Sequence, residues 1–320
     1  MYDIRRIQTF EEMTALAEDW NRLAGGNPLR GFAWHANWWK HYQENNELFV
    51  IAVRDGEGTV VGIAPWFLQQ RSGKGRVLAW LGSGDVCSDY QTILLDERQA
   101  DAITEQLAQW LEAATVSEPG WDLLHLDSVP TADQAVGQFV AHLWSGGNTI
   151  HREDGPNCWR IALPPTWEEY VETLSKSHRK QVRRIERRQL QSGRAVLHTV
   201  NSEQDLERGF GILIDLHQRR RLSLGEPGCF ASEPFSGFLH VVAQQLLGTN
   251  QLRLSWVEVE GQPAAVEFQM AGGGVTYAYQ AGVDPELMHE EPGRIINIAT
   301  IRQAIEEGQH SFDFLRGDEP

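Results

Sequence analysis

The order of the predicted elements repeats once along the chain, and this repeat restricts the possible folds more than any other feature of the sequence. In each half, a short strand-like run leads into a helix that starts with a capping box, at Thr9–Glu12 and again at Thr166–Glu169. A hairpin, a strand, a helix and a second strand then follow in both halves. Because these elements recur in one order, the sequence predicts two copies of a single α/β fold.

The repeat also predicts where the two copies lie. We expect an N-terminal domain at 1–158 and a C-terminal domain at 159–320. The paired elements are the opening runs 2–8 and 158–163, the hairpins 48–68 and 252–270, the strands 90–95 and 275–283, the helices at about 99–113 and 293–307, and the last strands 122–129 and 311–317.

The two copies differ beyond these elements. The first copy continues with a helix over 132–145 and a strand near Asn148–Arg152. The second contains an insertion at 198–250, which predicts two further helices, the first of them capped by Ser202. By comparison with the first copy, the second lacks about 35 residues that would form a final helix and strand, so we expect it to be truncated at its C-terminus.

The composition is typical of a folded protein without a membrane span. Hydrophobic residues make up 41% and charged residues 22% of the chain, and no apolar run approaches the roughly 18 residues that a span requires. The N-terminus lacks the apolar core of a secretory signal, so we expect a cytoplasmic protein. The net charge of −16 argues against nonspecific binding to nucleic acid.

The cysteines point to neither a disulfide framework nor a metal site. Cys87, Cys158 and Cys229 lie far apart and have neither CxxC spacing nor flanking histidine pairs. We expect all three to be small buried apolar residues, and a nucleophile among them is the alternative.

One basic stretch, Ser175–Gln189, reverses the charge of the chain locally. Residues 176–188 hold seven Lys and Arg residues and a single Glu, in a chain with a net charge of −16. Helical spacing places Arg179 and Arg183 on one flank. We expect these cations to hold an anionic group of a substrate, such as the phosphates of coenzyme A, a nucleotide sugar, a lipid-linked sugar or tRNA. A solvated helix balanced by acidic surroundings is the alternative.

Five stretches together carry a family resemblance. They are FAWHANWWKHY (32–42), LGSGDVCSDYQTILL (81–95), LSKSHRKQVRRIERRQLQSG (174–193), YQAGVDPELMHEEPGRIINIATIRQAIEEG (279–308) and FDFLRGDEP (312–320). In these the chain resembles the GNAT acyltransferases, in particular the FemAB-like and CelD-type branch with tandem GNAT domains. The resemblance implies an α/β (α+β) fold class, with two tandem GNAT-like domains that are each a mixed, mostly antiparallel sheet flanked by helices.

The resemblance also implies a donor, acetyl-CoA or another acyl-CoA, bound along the strand at 275–283 and at the start of the next helix. In the family the pyrophosphate lies at this helix N-terminus, where unpaired N–H groups and the helix dipole favour an anion. The donor-binding residues implied in this way are Gln280, Gly282, Pro292, Gly293 and Arg294.

The phosphate loop of this sequence departs from the family pattern. That pattern is Gln/Arg-x-x-Gly-x-Gly/Ala, whereas only EPGR stands here, directly after His289 and Glu290. The carboxylates of Glu290 and Glu291 would oppose a pyrophosphate. Aminoacyl-tRNA, the donor used by FemAB relatives, is therefore the alternative.

The resemblance makes the second domain the catalytic one, with an amine as acceptor and no metal. Direct transfer requires a base, an oxyanion donor and a proton for the thiol, and no Ser-His-Asp or Cys-His signature is visible. Glu267, among apolar residues on a predicted strand, is the candidate base, and a solvent-facing residue is the alternative. Tyr279 shares a strand face with Tyr277 and would protonate the departing thiolate, unless both belong to the core.

Further candidates lie at the ends of predicted strands and on one helix. Asp313 and Arg316 would position an amine and an anionic group, or would pair with each other. Asp89 and Tyr90 would bind substrate in a groove between the domains, or would form a turn. His217 is expected in the core, and a base that faces the cleft is the alternative.

Three functions remain open at this level. The first is an N-acyltransferase that acts on an amine of an amino sugar or a cell-envelope polysaccharide precursor. The second is a FemAB-like transferase that uses aminoacyl-tRNA. The third is a binding subunit without catalysis in polysaccharide biosynthesis.

Overall fold

The computed structural model describes residues 2–114 and 120–317. The chain divides into two compact units, Met1–Gly155 and Pro156–Pro320, which we call the first and the second unit. Each unit contains a six-stranded sheet of its own. Among the described residues, no helix is both long enough and apolar enough to cross a membrane.

The first unit is an antiparallel sheet that ends in one parallel strand. The strand order is β1-β2-β3-β4-β6, with the short β5 paired to β3, and β4 and β6 run parallel. Its elements are β1 (Asp3–Ile7), α1 (Phe10–Thr14), α2 (Ala17–Leu23), α3 (Phe32–Tyr42), β2 (Asn46–Arg54), β3 (Val60–Arg71), β4 (Gly75–Trp80), β5 (Leu94–Leu95), α4 (Ala100–Ala114), β6 (Leu123–His125) and α5 (Gln134–Ser145).

The second unit repeats this arrangement. The strand order is β7-β12-β11-β10-β9-β8, and β11 and β12 form the parallel pair. Its elements are β7 (Cys158–Ala162), α6 (Trp167–Thr173), α7 (Lys176–Ile185), β8 (Ala195–Thr199), α8 (Glu203–Ser223), α9 (Glu233–Gly248), β9 (Leu252–Val259), β10 (Gln262–Gly272), β11 (Val275–Val283), α10 (Pro292–Glu306) and β12 (Ser311–Arg316).

Helix caps form where the sequence predicts them. Thr9 and Glu12 form a full capping box at α1, and the hydroxyl of Thr166 accepts the Glu169 N–H at α6. Ser202 caps α8 in the same way. A side-chain cap of this kind stabilises a helix by about 1 kcal/mol, so these local signals fix where the helices begin.

Each sheet packs its helices through apolar side chains at helical spacing. In the first unit, Leu107 and Leu111 of α4 pack with Phe139 of α5 against Trp66 of the sheet, and all four are fully buried. In the second, α6, α7 and α10 share one core cluster, to which Ile295 contributes. Each such side chain contributes roughly 1.5–3 kcal/mol through burial. Helices α8 and α9 also pack against the sheet of the second unit, α8 on β9, β10 and β11, and α9 on β9.

Several strand predictions are wrong. Residues 148–152 form no strand, and 90–95 contribute only the two residues of β5. The run at 158–163 forms β7, which lies beside β12. The strand that corresponds to β1 is therefore β8, because each pairs with the first strand of its hairpin. The predicted hairpins, the later helices and the two inserted helices are confirmed.

Candidate active site

The candidate site is an opening in the sheet of the second unit, where two neighbouring strands separate. β11 and β12 pair over only three positions, the last of which joins Tyr277 and Asp313. Both strands continue beyond these residues without pairing to each other. We call the opening between 278–283 and 314–316 the strand cleft. Backbone N–H and C=O groups that the ladder leaves unused can bind a ligand with amide groups there.

A β-bulge interrupts β11 at the entrance to the strand cleft. Phe268 of β10 pairs with Gln280, and the neighbouring Gln269 pairs with Ala278, so Tyr279 is the extra residue. A bulge bends its strand and increases the twist, which turns the rest of β11 away from β12. The half-buried ring of Tyr279 lies against that of Phe268, with ring centres 6.2 Å apart.

The strand β12 bends at the same level. Asp313 is fully buried, and its Oδ1 accepts a hydrogen bond of 2.8 Å from the N–H of Leu315. Leu315 has a φ of +58°, in the left-handed region that costs a leucine roughly 1–2 kcal/mol. The pairing of β12 with β7 also shifts register between Asp313 and Arg316. Asp313 therefore stabilises the bend, and Arg316 lies beyond it on the wall of the strand cleft.

Glu267 lies on β10, between β9 and β11, and its carboxylate reaches α10. Oε2 accepts a hydrogen bond of 3.1 Å from the hydroxyl of Thr300 and another from the amide of Gln269. Only 6% of the residue is exposed, so the solvent-facing alternative is wrong. Burial raises the pKa of this carboxyl to about 7, against the lowering effect of the two hydrogen bonds. A carboxyl that titrates near neutral pH can accept a proton from an amine.

Because its pKa is raised, the buried carboxyl of Glu267 should lower the free energy of unfolding of the second unit at high pH. The unfolded carboxyl ionises near 4.5 and the folded one near 7, so stability falls as the pH rises between these values. This difference corresponds to roughly 3 kcal/mol. Glutamine does not ionise. We therefore expect the free energy of unfolding of Glu267→Gln, relative to that of the wild type, to increase by roughly 3 kcal/mol between pH 4 and pH 8, as measured by urea unfolding. Parallel pH curves for the two proteins would contradict the raised pKa.

Helix α10 begins beside the end of β11. A Cβ atom added at Gly293 would lie 3.8 Å from Val283. The N-cap residue, Glu291, has a φ of +58° and makes no side-chain cap. Pro292 has no N–H, and the Arg294 N–H bonds to the carbonyl of Glu291. Within the described residues, the N–H of Gly293 thus has no hydrogen-bond acceptor in the first turn of the helix. It lies at the positive end of the dipole of this 15-residue helix.

Glu290 is neutralised by neighbouring side chains. Arg194 binds its two carboxylate oxygens at 2.7 and 2.9 Å, and Gln189 donates a third hydrogen bond of 3.0 Å. The hydrogen bonds from Gln189 and Arg194 lower the pKa of the Glu290 carboxyl. The sequence predicts that the Glu290 carboxylate would repel a pyrophosphate, and the adjacent Arg194 offsets this repulsion.

Glu291 is neutralised in the same way, because Arg184 and Arg294 both bind its carboxylate. A recess of about 140 Å³ lies here, in which three arginines outnumber two carboxylates. We call it the arginine recess. A larger depression, of about 730 Å³, involves 201–207 and the end of α9 and contains none of the predicted site residues. The arginine recess is lined by Arg184, Arg188, Gln189, Arg194, Glu290 and Glu291, among others.

The comparison with protein families decides what this part of the chain is. Residues 176–320 match the family model described as an acetyltransferase (GNAT) domain. The second unit matches a GNAT domain over most of its length. Its separated parallel strands and the helix that begins beside them lie within the matched residues. No curated protein matches the chain.

Solved structures extend the similarity to both units. FemX is 12% identical with a TM-score of 0.65, over 99% of this chain and 90% of FemX. A conserved protein of unknown function from Bacteroides thetaiotaomicron is 12% identical with a TM-score of 0.55, over 99% and 90%. L-PGS from Bacillus licheniformis is 14% identical with a TM-score of 0.52, over 94% and 74%. These matches confirm the predicted fold of two tandem GNAT-like domains.

Part of the basic stretch is paired with an acidic neighbour within the GNAT domain. Arg179 and Arg183 both bind Glu172, at 2.7 and 2.8 Å, and Arg179 also donates to two carbonyls at the end of α6. These two arginines thus join α6 to α7, and their role in binding an anionic substrate stays a prediction. The exposed side chains of the stretch that make no ion pair within the described residues are Lys176, Lys180, Arg187 and Arg188.

Two predicted donor-binding residues of the GNAT domain lie on the sheet face opposite Glu267. Gly282 packs against α8, where an added Cβ would lie 2.5 Å from the backbone nitrogen of His217. This packing explains the glycine without any ligand. Gln280 is half-buried on the same face and pairs with Phe268.

Asp89 and Tyr90 belong to the loop between β4 and β5 of the first unit. Asp89 is 5% exposed, and Tyr90 has a φ of +62°. The carbonyl of Tyr90 accepts a hydrogen bond of 2.7 Å from Arg30. A tyrosine in the left-handed region is strained, so this loop is held by its surroundings in one conformation. A role in substrate binding stays a prediction.

One contact has no signal in the sequence. The Nε2 atom of the buried His217 lies 3.3 Å from the Sγ atom of Cys229. The two residues lie on α8 and on the loop after it, and their spacing of 12 residues matches no motif. The prediction that all cysteines are buried is wrong, because Cys87 is exposed and Cys158 and Cys229 are partly exposed.

Proposed function

We propose that the second unit transfers an acyl group, acetyl in the simplest case, from acyl-CoA to an amine. The observation that supports this most directly is the strand cleft beside the start of α10. An extended donor with amide groups can hydrogen-bond to the open edge of β11, as a peptide adds to a sheet edge. Since acyl-CoA is a cytoplasmic metabolite, we place the reaction in the cytoplasm.

The charge near the start of α10 supports a phosphate-bearing donor. The Gly293 N–H offers a donor at the positive end of the helix. The nearby arginine recess contains Arg184, Arg188 and Arg194 against Glu290 and Glu291. A pyrophosphate at this position would gain charge-assisted hydrogen bonds, because arginine matches phosphate geometry.

The reaction assigns one proton transfer to each of two side chains. The acceptor amine attacks the thioester carbonyl, the carbon–sulfur bond breaks, and an amide and a thiol form. Glu267, whose pKa is raised to about 7, takes the proton that the amine loses. Tyr279, on the wall of the strand cleft, supplies the proton that the departing thiolate takes up. Asp313 and Arg316 flank the opposite wall, where they would position the amine and an anionic group of the acceptor.

The acceptor follows from this chemistry only as a class. We propose an amino sugar or a cell-envelope polysaccharide precursor with a free amine. Aminoacyl-tRNA remains a second candidate for the donor, because Lys176, Lys180, Arg187 and Arg188 are exposed and could contact a nucleic-acid backbone.

The donor can be tested by calorimetry with acetyl-CoA and with aminoacyl-tRNA. We expect micromolar binding of acetyl-CoA, and we expect Gly293→Trp to weaken it by about tenfold or more, because an indole would cover the helix start. The matched control is Gly211→Trp on α8, where an added Cβ meets nothing within 4 Å. Equal loss in both variants, or binding of aminoacyl-tRNA alone, would contradict acyl-CoA as the donor. Binding of neither ligand would exclude both transferases.

A further inference from the structure

Two large aromatic side chains are exposed beside the strand cleft. Trp159 on β7 is 58% exposed, and Phe314 on β12 is 37% exposed. In the part of the chain that the structure describes, the indole of Trp159 makes neither a hydrogen bond nor a ring contact. A ring left in solvent forgoes the free energy that its burial would supply, so two such rings beside a cleft indicate a surface that a ligand covers.

The pairing of β7 with β12 places Trp159 directly behind the wall of the strand cleft. The two strands pair at Arg160 with Asp313 and again at Cys158 with Arg316. Between these positions β7 has one residue, Trp159, and β12 has two. Trp159 therefore lies opposite the bend of β12, which forms the wall, and neighbouring strands are about 5 Å apart.

Trp159 and Phe314 lie on the same face of the sheet as Glu267. Side chains alternate between the faces of a strand, and Ile161, two residues after Trp159, packs on the core shared with α6 and α10. The ring of Phe314 lies against that of Phe312 in this core, with centres 4.9 Å apart. The carboxylate of Glu267 is hydrogen-bonded to α10. An acceptor that gives its proton to Glu267 can thus extend over both rings.

The position of the two rings suits the acceptor rather than the donor. The proposed donor binds along β11 and at the start of α10, on the other wall of the strand cleft. The rings lie on the side of β12 and β7, where Asp313 and Arg316 would position the acceptor. A flat indole packs against the C–H face of a sugar ring and leaves the hydroxyl groups at its rim free to hydrogen-bond.

We propose that Trp159 and Phe314 form an aromatic platform that binds a sugar ring of the acceptor, next to the ring that carries the reacting amine. Trp159 lies one strand behind the cleft wall, about 5 Å further out than β12. One ring that holds its amine in the cleft does not also cover the platform. This inference rests on the proposed function and names the acceptor as a chain of at least two amino-sugar rings.

The experiment compares acetylation of glucosamine with that of its β-1,4-linked disaccharide, with acetyl-CoA as the donor. We expect the wild type to have a KM about tenfold lower for the disaccharide. Trp159→Ala should raise the KM for the disaccharide by about tenfold and leave the KM values for glucosamine and acetyl-CoA unchanged. Trp159→Phe, which keeps a ring, should recover most of this loss.

The matched control is Trp144→Ala on α5 of the first unit, where the tryptophan is 69% exposed. This variant should keep every KM value. Because Trp159 is also exposed, its replacement should leave the free energy of unfolding in urea near that of the wild type. An equal loss for glucosamine and the disaccharide, or a raised KM for acetyl-CoA, would overturn the aromatic platform.

Calorimetry with the disaccharide alone separates the aromatic platform from the proposed function. We expect binding by the wild type and by Trp144→Ala, and about tenfold weaker binding by Trp159→Ala. If the disaccharide binds in this way but no amine is acetylated, the platform stands and the proposed function fails. If glucosamine is acetylated but Trp159→Ala behaves like Trp144→Ala, the platform is wrong and the proposed function stands. If the disaccharide neither binds nor reacts, the platform is wrong.

Discussion

Replacing Glu267 by glutamine should lower kcat by about 10² to 10⁴-fold, the usual contribution of a positioned general base. Glutamine keeps the volume of the side chain and an oxygen that can accept the hydrogen bond from Thr300. It cannot accept a proton from the amine. The dissociation constant for acyl-CoA should therefore change little, because Glu267 lies under α10 and not at its start.

The pH profile makes this prediction specific to the proton transfer. In the wild type, kcat should rise as the pH increases through about 7, where the buried carboxyl of Glu267 loses its proton. The pH profile of kcat/KM, which reports the ionisation of the free enzyme, should show the same value as the unfolding experiment. The hydrogen bond from Thr300 lowers this pKa, so Thr300→Val should move the midpoint of the profile to higher pH. A loss of less than tenfold in Glu267→Gln, with an unchanged profile, would assign Glu267 to folding alone.

The sequence predicts those parts of the fold that depend on local signals. Thr166 and Ser202 mark the starts of α6 and α8 because a side-chain cap acts within three residues. The pairing of β7 is different, since it joins Cys158–Ala162 to β12, about 150 residues further along the chain. A five-residue run does not reveal its partner, so the sequence predicts β7 in the position that β8 occupies.

The site is harder to predict than the fold, because its shape depends on backbone irregularities. Glu267 is recognisable as a carboxylate among apolar residues, and the structure buries it. The bulge at Tyr279 and the left-handed φ of Leu315 leave no pattern in the sequence, although together they open the strand cleft. The role of Arg184 is equally hidden, because its partner, Glu291, lies 107 residues away.

Replacing Asp313 by alanine should close or deform the strand cleft and abolish transfer. The side chain is fully buried and accepts the N–H of Leu315, so alanine leaves this donor without its acceptor inside the protein. That loss costs roughly 1–3 kcal/mol, at a position where the left-handed φ of Leu315 already adds strain. We expect a corresponding decrease in the free energy of unfolding, measured in urea.

Asp313→Asn separates the bend of β12 from the charge of the carboxylate. Asparagine keeps an oxygen for the Leu315 N–H, so its free energy of unfolding should stay within about 1 kcal/mol of the wild type. If the carboxylate also positions the acceptor amine, transfer by this variant should fall by about tenfold or more, through KM for the amine rather than for acyl-CoA. Full activity in Asp313→Asn would limit Asp313 to shaping the cleft. Wild-type stability in Asp313→Ala would contradict its role in the bend itself.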